Sequence, residues 1–364
     1  MNRGEIGRRE FGRATAGRGP VATGRVREAS PVLAAGVEEF IFADVFSRSG
    51  LPARERELLT VAVLAALGGA DSQLGVHAPA ALDCGADPED LIQLCEQIAP
   101  YAGFPRALNA LRAVRTVLEE RGLPLPLAVR DVQLREFTTL AATVGEGDEG
   151  ILLVHSPELD RRMWRDMMRA LPEGHFAVAP DLRGAGAAVG APLPHGLSEL
   201  ASDLVGVMNA TGLRRAHVVA QGASAAIACA VADAHPDRVI HLTLIGPRTE
   251  LATAVPGAVA LADQMRPQTL AVDVWASRYA RDRFARLDPV GWMGLVGAVA
   301  NAELGRTGGV QVSVVAGDSD AVVDLMLAGH TWPSAAVTRV PEAGHLAPLE
   351  APEACAQIVN ALSQ

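Results

Sequence analysis

Lysine is absent from the 364-residue sequence: all 32 basic side chains are arginine. That absence excludes a lysine Schiff base, a lysine nucleophile and the lysine of a phosphate-binding loop in one step. Cysteine is scarce as well. Cys84, Cys95, Cys229 and Cys355 are scattered, with no C-x-x-C pair, so neither a disulfide framework nor a structural zinc is expected. No apolar run approaches the roughly 18 to 20 uncharged residues that a membrane helix needs. The first 30 residues lack the apolar stretch of a signal peptide. The expected setting is the cytoplasm, without a membrane partner. Positive charge is also in deficit, at a formal net −10, which argues against a nucleic-acid partner. Residues 1–30 depart locally, with seven Arg against three Glu, and read as a solvated N-terminal segment.

Hydrophobic residues make up 49% of the chain, and its length suits two domains, each with a buried core. Residues 38–121 read as helices separated by turn signals. One runs from near Ala53 to the Gly68-Gly69 stop, and a second from about Ser72 to Asp83. A third follows Asp87-Pro88, where Asp can cap and Pro fits the first turn, and a fourth spans Pro105 to Arg121. Residues 123–130 form a Pro-punctuated connector between a domain at 1–122 and one at 131–364. Beyond it, short apolar runs at 150–155, 175–180, 216–221, 239–246 and 310–317 alternate with helical stretches. Near-continuous apolar strands between helices predict a parallel sheet covered on both faces.

In the first helix Leu58, Val61, Ala62 and Ala65 form an apolar stripe with Glu57 on its edge. In the second, Leu74, His77, Ala78 and Ala81 fall at i, i+3, i+4 and i+7, which turns His77 inward. A carboxylate and an imidazole from adjacent helices suit acid–base chemistry, and equally suit two satisfied core polar groups. Spacing does not choose between them.

Three blocks together, SRSGLPARERELLTVAVLAALG, QLGVHAPAALDCGADPEDL and PYAGFPRALNALRAV, resemble the carboxymuconolactone decarboxylase family across residues 38–121. The related alkylhydroperoxidase branch carries a C-x-x-C pair just before this histidine. Here the stretch is GGADSQLGVH, which excludes that redox chemistry. The resemblance implies an all-α domain, a homo-oligomer and a decarboxylation needing no cofactor, because the lactone carbonyl of a butenolide is the electron sink. It implies His77 as general acid and Glu57 as its orienting partner. Arg48 and Arg56 are candidates for binding substrate carboxylates, or are solvated surface residues.

The second region resembles the 3-oxoadipate enol-lactonase branch of the α/β-hydrolases. The matching segments are HSPELDRRMW at 155–164, APDLRGAGA at 179–187 and AHPDRVIHLTLIG at 234–246, with a short cap expected over about 250–305. The resemblance implies Asp320 in AGDSD as the acid of a triad and His345 in EAGHLAPLE as its base, with Ser156, Trp164, Gly222 and Ala223 lining the site. The nucleophile departs from the pattern. Counting back from His235-Pro236 places the family's serine at Gly222, in A-Q-G-A-S. Ser224 lies two residues further on, roughly 200° round a helix. One oxyanion donor aligns with Pro157, which has no N–H. Acyl-enzyme hydrolysis is therefore not expected. A non-hydrolytic rearrangement or cyclisation on the His345–Asp320 pair, and a binding or scaffolding role, both stay open. Fusions of these two families usually carry the lactonase first, so the reversed order leaves catabolism and secondary metabolism both open as settings.

Overall fold

A computed structural model describes residues 2–14, 19–123, 125–247, 279–280, 283, 288–299, 302, 305–320 and 329–363. Most of the expected cap, 250–305, lies outside the described residues. The chain divides into two compact units, Met1–Pro126 and Leu127–Gln364. Among the described residues no helix is long and apolar enough to cross a membrane.

Four helices build the core of the first unit: α4 (Ala53–Leu67), α5 (Asp71–Asp83), α6 (Pro88–Ala102) and α7 (Phe104–Glu120). Gly68 ends α4 at φ 72°, a conformation that disfavours a side chain. Asp87 and Asp90 close a reciprocal cap on α6: the Asp90 N–H donates to Asp87 at 3.0 Å and the Asp87 N–H to Asp90 at 2.9 Å. Val61, Leu74, Leu91, Val114 and Leu118 meet in one buried cluster. The other side of α4 is also apolar, and it is bare: Leu59, Val63 and Leu67 are 54%, 57% and 65% exposed.

Residues 1–30 leave their described arginines exposed, as expected of a solvated segment. They hold α1 (Arg3–Ala14) and α2 (Gly19–Ala29), followed by α3 (Pro31–Ala35) and a π-helical stretch, Gly36–Phe46. Phe11 stacks on Phe42 with centroids 3.9 Å apart. Buried Glu38 accepts ion pairs from Arg8 at 3.1 Å and Arg27 at 2.5 Å, so part of the local positive charge is neutralised within the unit.

The second unit is an eight-stranded sheet in the order β1-β2-β4-β3-β5-β6-β7-β8. The apolar runs seen in the sequence form β3 (Glu149–Val154), β4 (Ala177–Pro180), β5 (Arg215–Gln221), β6 (Val239–Ile245) and β7 (Val312–Gly317). These five pair in parallel. Three further strands were not marked by apolar runs: β1 (Ala128–Gln133), β2 (Thr138–Val144) and β8 (Ala336–Val340). Because β2 runs antiparallel to both β1 and β4, the sheet is mixed rather than wholly parallel. The expected connector is also shorter than 123–130. Ala128, Val129 and Arg130 already pair with Thr143, Ala142 and Ala141, since beyond Pro126 every residue of the strand has an N–H for the ladder. Helices α8 (Arg165–Ala170), α9 (Leu197–Thr211) and α10 (Ala225–Ala234) follow β3, β4 and β5.

Candidate active sites

In the first unit α4 and α5 bring Glu57 and His77 together. His77 Nδ1 lies 2.8 Å from Glu57 Oε2. A carboxylate can only accept, so Nδ1 donates and Nε2 is left as the reactive nitrogen. The Glu57 side chain has no exposure, and among the described residues its Oε1 finds no hydrogen-bond partner. The imidazole is not turned fully inward as helical spacing suggests: 23% of the side chain remains exposed, while its stripe neighbours Leu74, Ala78 and Ala81 are buried. A held but reachable imidazole is suited to proton transfer with an external molecule.

Among the described residues neither candidate arginine is hydrogen-bonded to this pair. Arg48 is exposed, and its carbonyl accepts from the Arg56 guanidinium at 3.1 Å. Arg56 also donates to the Leu51 carbonyl at 2.9 Å and lies 5.7 Å from the centre of the Phe46 ring. Arg56 thus braces the loop leading into α4.

In the second unit β6, β7 and the segment before Ala347 converge on His345. Its Nδ1 lies 3.1 Å and 3.3 Å from the two oxygens of Asp320, and both side chains are buried. Gly246, at φ 52°, makes this approach possible: a Cβ there would sit 3.0 Å from His345 Nδ1 and 3.1 Å from Asp320 Oδ2. Two side chains not singled out in the sequence hold the loop. Gln221 donates to the His345 carbonyl at 3.0 Å, and Glu350 accepts from the Gly344 and Leu346 N–H groups at 2.8 Å and 3.1 Å. No local sequence signal marks these residues, because their partners are remote in the chain or are backbone atoms.

Gly222 opens the turn from β5 into α10 at φ 63°. A Cβ built on it would lie 3.7 Å from His345 Nε2, 3.0 Å from Ser156 Oγ and 3.6 Å from Ser156 Cβ. Ala223, the next residue of the turn, is buried at 1% exposure. Ser224 points elsewhere, donating to the His155 carbonyl at 2.6 Å. Ser156 is buried and donates to Glu158, a second buried polar residue that sequence reasoning did not mark. Trp164 is enclosed in the core rather than set in an open wall: it has no exposure, and its Nε1 has no partner among the described residues. A 3₁₀ turn, Arg161–Trp164, carries that ring inward. His155 is structural as well. It accepts from the Leu182 N–H at 2.9 Å, and complete burial holds its imidazole below the usual range.

Residues 31–116 match the model of the carboxymuconolactone decarboxylase family, and residues 151–292 match that of the alpha/beta hydrolase fold. The chain joins a carboxymuconolactone decarboxylase family domain to an α/β-hydrolase-fold domain. Over 87 residues, 24% of this chain and 64% of the relative, it is 34% identical to a 4-carboxymuconolactone decarboxylase of Acinetobacter baylyi. Over 101 residues, 27% of this chain and 38% of the relative, it is 38% identical to a putative carbamate hydrolase RutD of Caulobacter segnis. The chain therefore spans less than two thirds of either relative. The hydrolase-fold domain also superposes on the enol-lactonase of Burkholderia xenovorans with a TM-score of 0.58 at 21% identity, covering 65% of this chain and all of that one. At that identity the likeness concerns the fold.

Proposed function

We propose that the decarboxylase-family domain is a cofactor-independent carboxy-lyase acting on an anionic butenolide-like substrate, with His77 as general acid and Glu57 as its orienting carboxylate. The observation that carries this reading is the 2.8 Å contact between a buried carboxylate and a reachable imidazole. Loss of CO2 leaves an electron pair that moves through the ring C=C into the lactone carbonyl. The dienolate then takes a proton from His77 Nε2, and solvent restores that proton. Glu57 holds the ring by Nδ1 and stabilises its protonated form. Arg48, exposed at the start of the loop that Arg56 braces, is the candidate to meet a substrate carboxylate. The supporting test is His77→Ala in the full chain. Turnover of 4-carboxymuconolactone, followed as CO2 release, should vanish at unchanged thermal midpoint; wild-type turnover would remove the assignment.

The hydrolase-fold domain is proposed to lack the serine nucleophile, with Gly222 standing in its place. Supporting this are the strand-to-helix turn, the positive φ and the 3.7 Å from the Cβ position to His345 Nε2. A second reading, a non-hydrolytic rearrangement or cyclisation in this domain, is favoured by His345 Nε2 itself, a buried base without a hydrogen-bond partner among the described residues. A bare scaffold gains nothing from an uncompensated buried nitrogen. A homo-oligomer through the exposed Leu59, Val63 and Leu67 face is part of the proposal, as are a cytoplasmic setting and a place in aromatic catabolism.

A further inference from the structure

Two buried side chains face the point where a Gly222 side chain would stand, and both present lone pairs to it. His345 gives its Nδ1 proton to Asp320, so Nε2 is an acceptor, and among the described residues it has no hydrogen-bond partner. Ser156 gives its hydroxyl proton to Glu158 Oε2, so the capacity left on its oxygen is that of an acceptor. The two atoms lie 3.7 Å and 3.0 Å from that one point. Ser156 is 1% and His345 6% exposed, and Glu158, at 1%, keeps a second oxygen without a partner among the described residues. Buried acceptors left unmatched are costly, and a donor placed between them removes that cost.

We propose that the space over Gly222 is a seat for a single O–H group, donated to His345 and Ser156 together, with His345 as the base that removes its proton and Glu158 as the positioning residue that keeps Ser156 an acceptor. The O–H belongs either to a ligand hydroxyl of enol or phenol character or to a water molecule. In the first case His345 takes the proton, and the Ser156 hydroxyl turns from Glu158 to donate to the ligand oxyanion that remains. In the second the water oxygen bonds to a carbonyl carbon as His345 takes its proton, and the imidazolium returns that proton to the leaving oxygen as its bond breaks. Neither case needs an oxidant, a reductant or a covalent intermediate. The seat deepens the reading of Gly222 given above and rests on it.

The test uses the full chain with 4-nitrophenol, whose ionisation is visible in its absorbance, and with 4-nitrophenyl acetate. Saturable binding of 4-nitrophenol as its phenolate assigns the seat to a ligand hydroxyl. The colour change should then be lost in His345→Gln. Affinity should fall about tenfold in Ser156→Ala and in Glu158→Gln, at unchanged thermal midpoint, which a merely structural role for Glu158 would not produce. Gly222→Ala should block binding by placing a methyl group in the seat. No phenol binding, but ester turnover that needs His345 and Ser156 and leaves no adduct in the intact mass, assigns the seat to water. Neither signal, or a signal indifferent to Ser156→Ala and Glu158→Gln, overturns the seat while leaving the Gly222 reading standing. An acyl adduct on Ser156 or Ser224 overturns both.

Discussion

Replacing Glu57 by glutamine separates the chemistry of the decarboxylase-family domain from its stability. The side chain is fully buried, one oxygen is 2.8 Å from His77 Nδ1, and the other has no partner among the described residues. Glutamine keeps the shape and can still accept from Nδ1, but it removes the charge that favours the protonated imidazole. A hydrogen bond to a charged group contributes about 1.5 to 3 kcal/mol, which corresponds to roughly a 10- to 150-fold loss of turnover if the contact is needed in the transition state. Stability should move the other way or not at all. The variant removes a buried, half-satisfied carboxylate, and exchanging such a charge for a neutral isostere is often neutral or stabilising. Glu57→Ala should differ, because it also opens a cavity and strands the imidazole. The assay pairs kcat for decarboxylation of 4-carboxymuconolactone with urea unfolding of the same full-chain samples. Turnover of Glu57→Gln within twofold of wild type, or activity and stability falling together, would refute the acid–carboxylate assignment and leave Glu57 a structural residue.

Three other outcomes are expected. A serine-directed fluorophosphonate should leave the chain unlabelled by intact mass, because Gly222 has no oxygen and Ser224 is bonded to the His155 carbonyl; stoichiometric labelling would end the Gly222 argument. Stability of the hydrolase-fold domain should fall on acidification because of His217. Its ring is buried between Thr243 and Ser363, and burial pushes its pKa down to about 3. Below the unfolded value near 6.5 the unfolded chain binds the extra proton, so this residue removes up to about 1.4 kcal/mol per pH unit between there and the folded pKa. Urea midpoints for His217→Gln that keep the full wild-type slope would contradict this. Finally, Val63→Glu on the bare face of α4 should reduce the oligomer seen by light scattering, with helicity retained; an unchanged mass would leave that face without a role.

What the sequence by itself determined is local. Turn residues and apolar periodicity placed α4 to α7 and five of the eight strands, since caps, glycine stops and core-facing stripes act within a few residues of chain. The same locality places Gly222 in a strand-to-helix turn and Ser224 beyond it. The polar patterns of β1 and β8, the two edges of the sheet, carry no comparable signal, because an edge strand with one solvated face is stabilised by its partner strand rather than by its own hydrophobicity; β2, paired on both sides, mixes threonines with its apolar residues. Only the tertiary structure decided how far His77 is enclosed, for helical spacing gives the face of a residue and not the depth of its neighbours. The packing of Trp164 into the core and of Phe11 on Phe42 depends in the same way on elements distant in sequence. So does the second site. Ser156 and Gly222 are 66 positions apart, and the strands that bring the Ser156 hydroxyl up to Gly222 are joined by hydrogen bonds that no single stretch of sequence encodes.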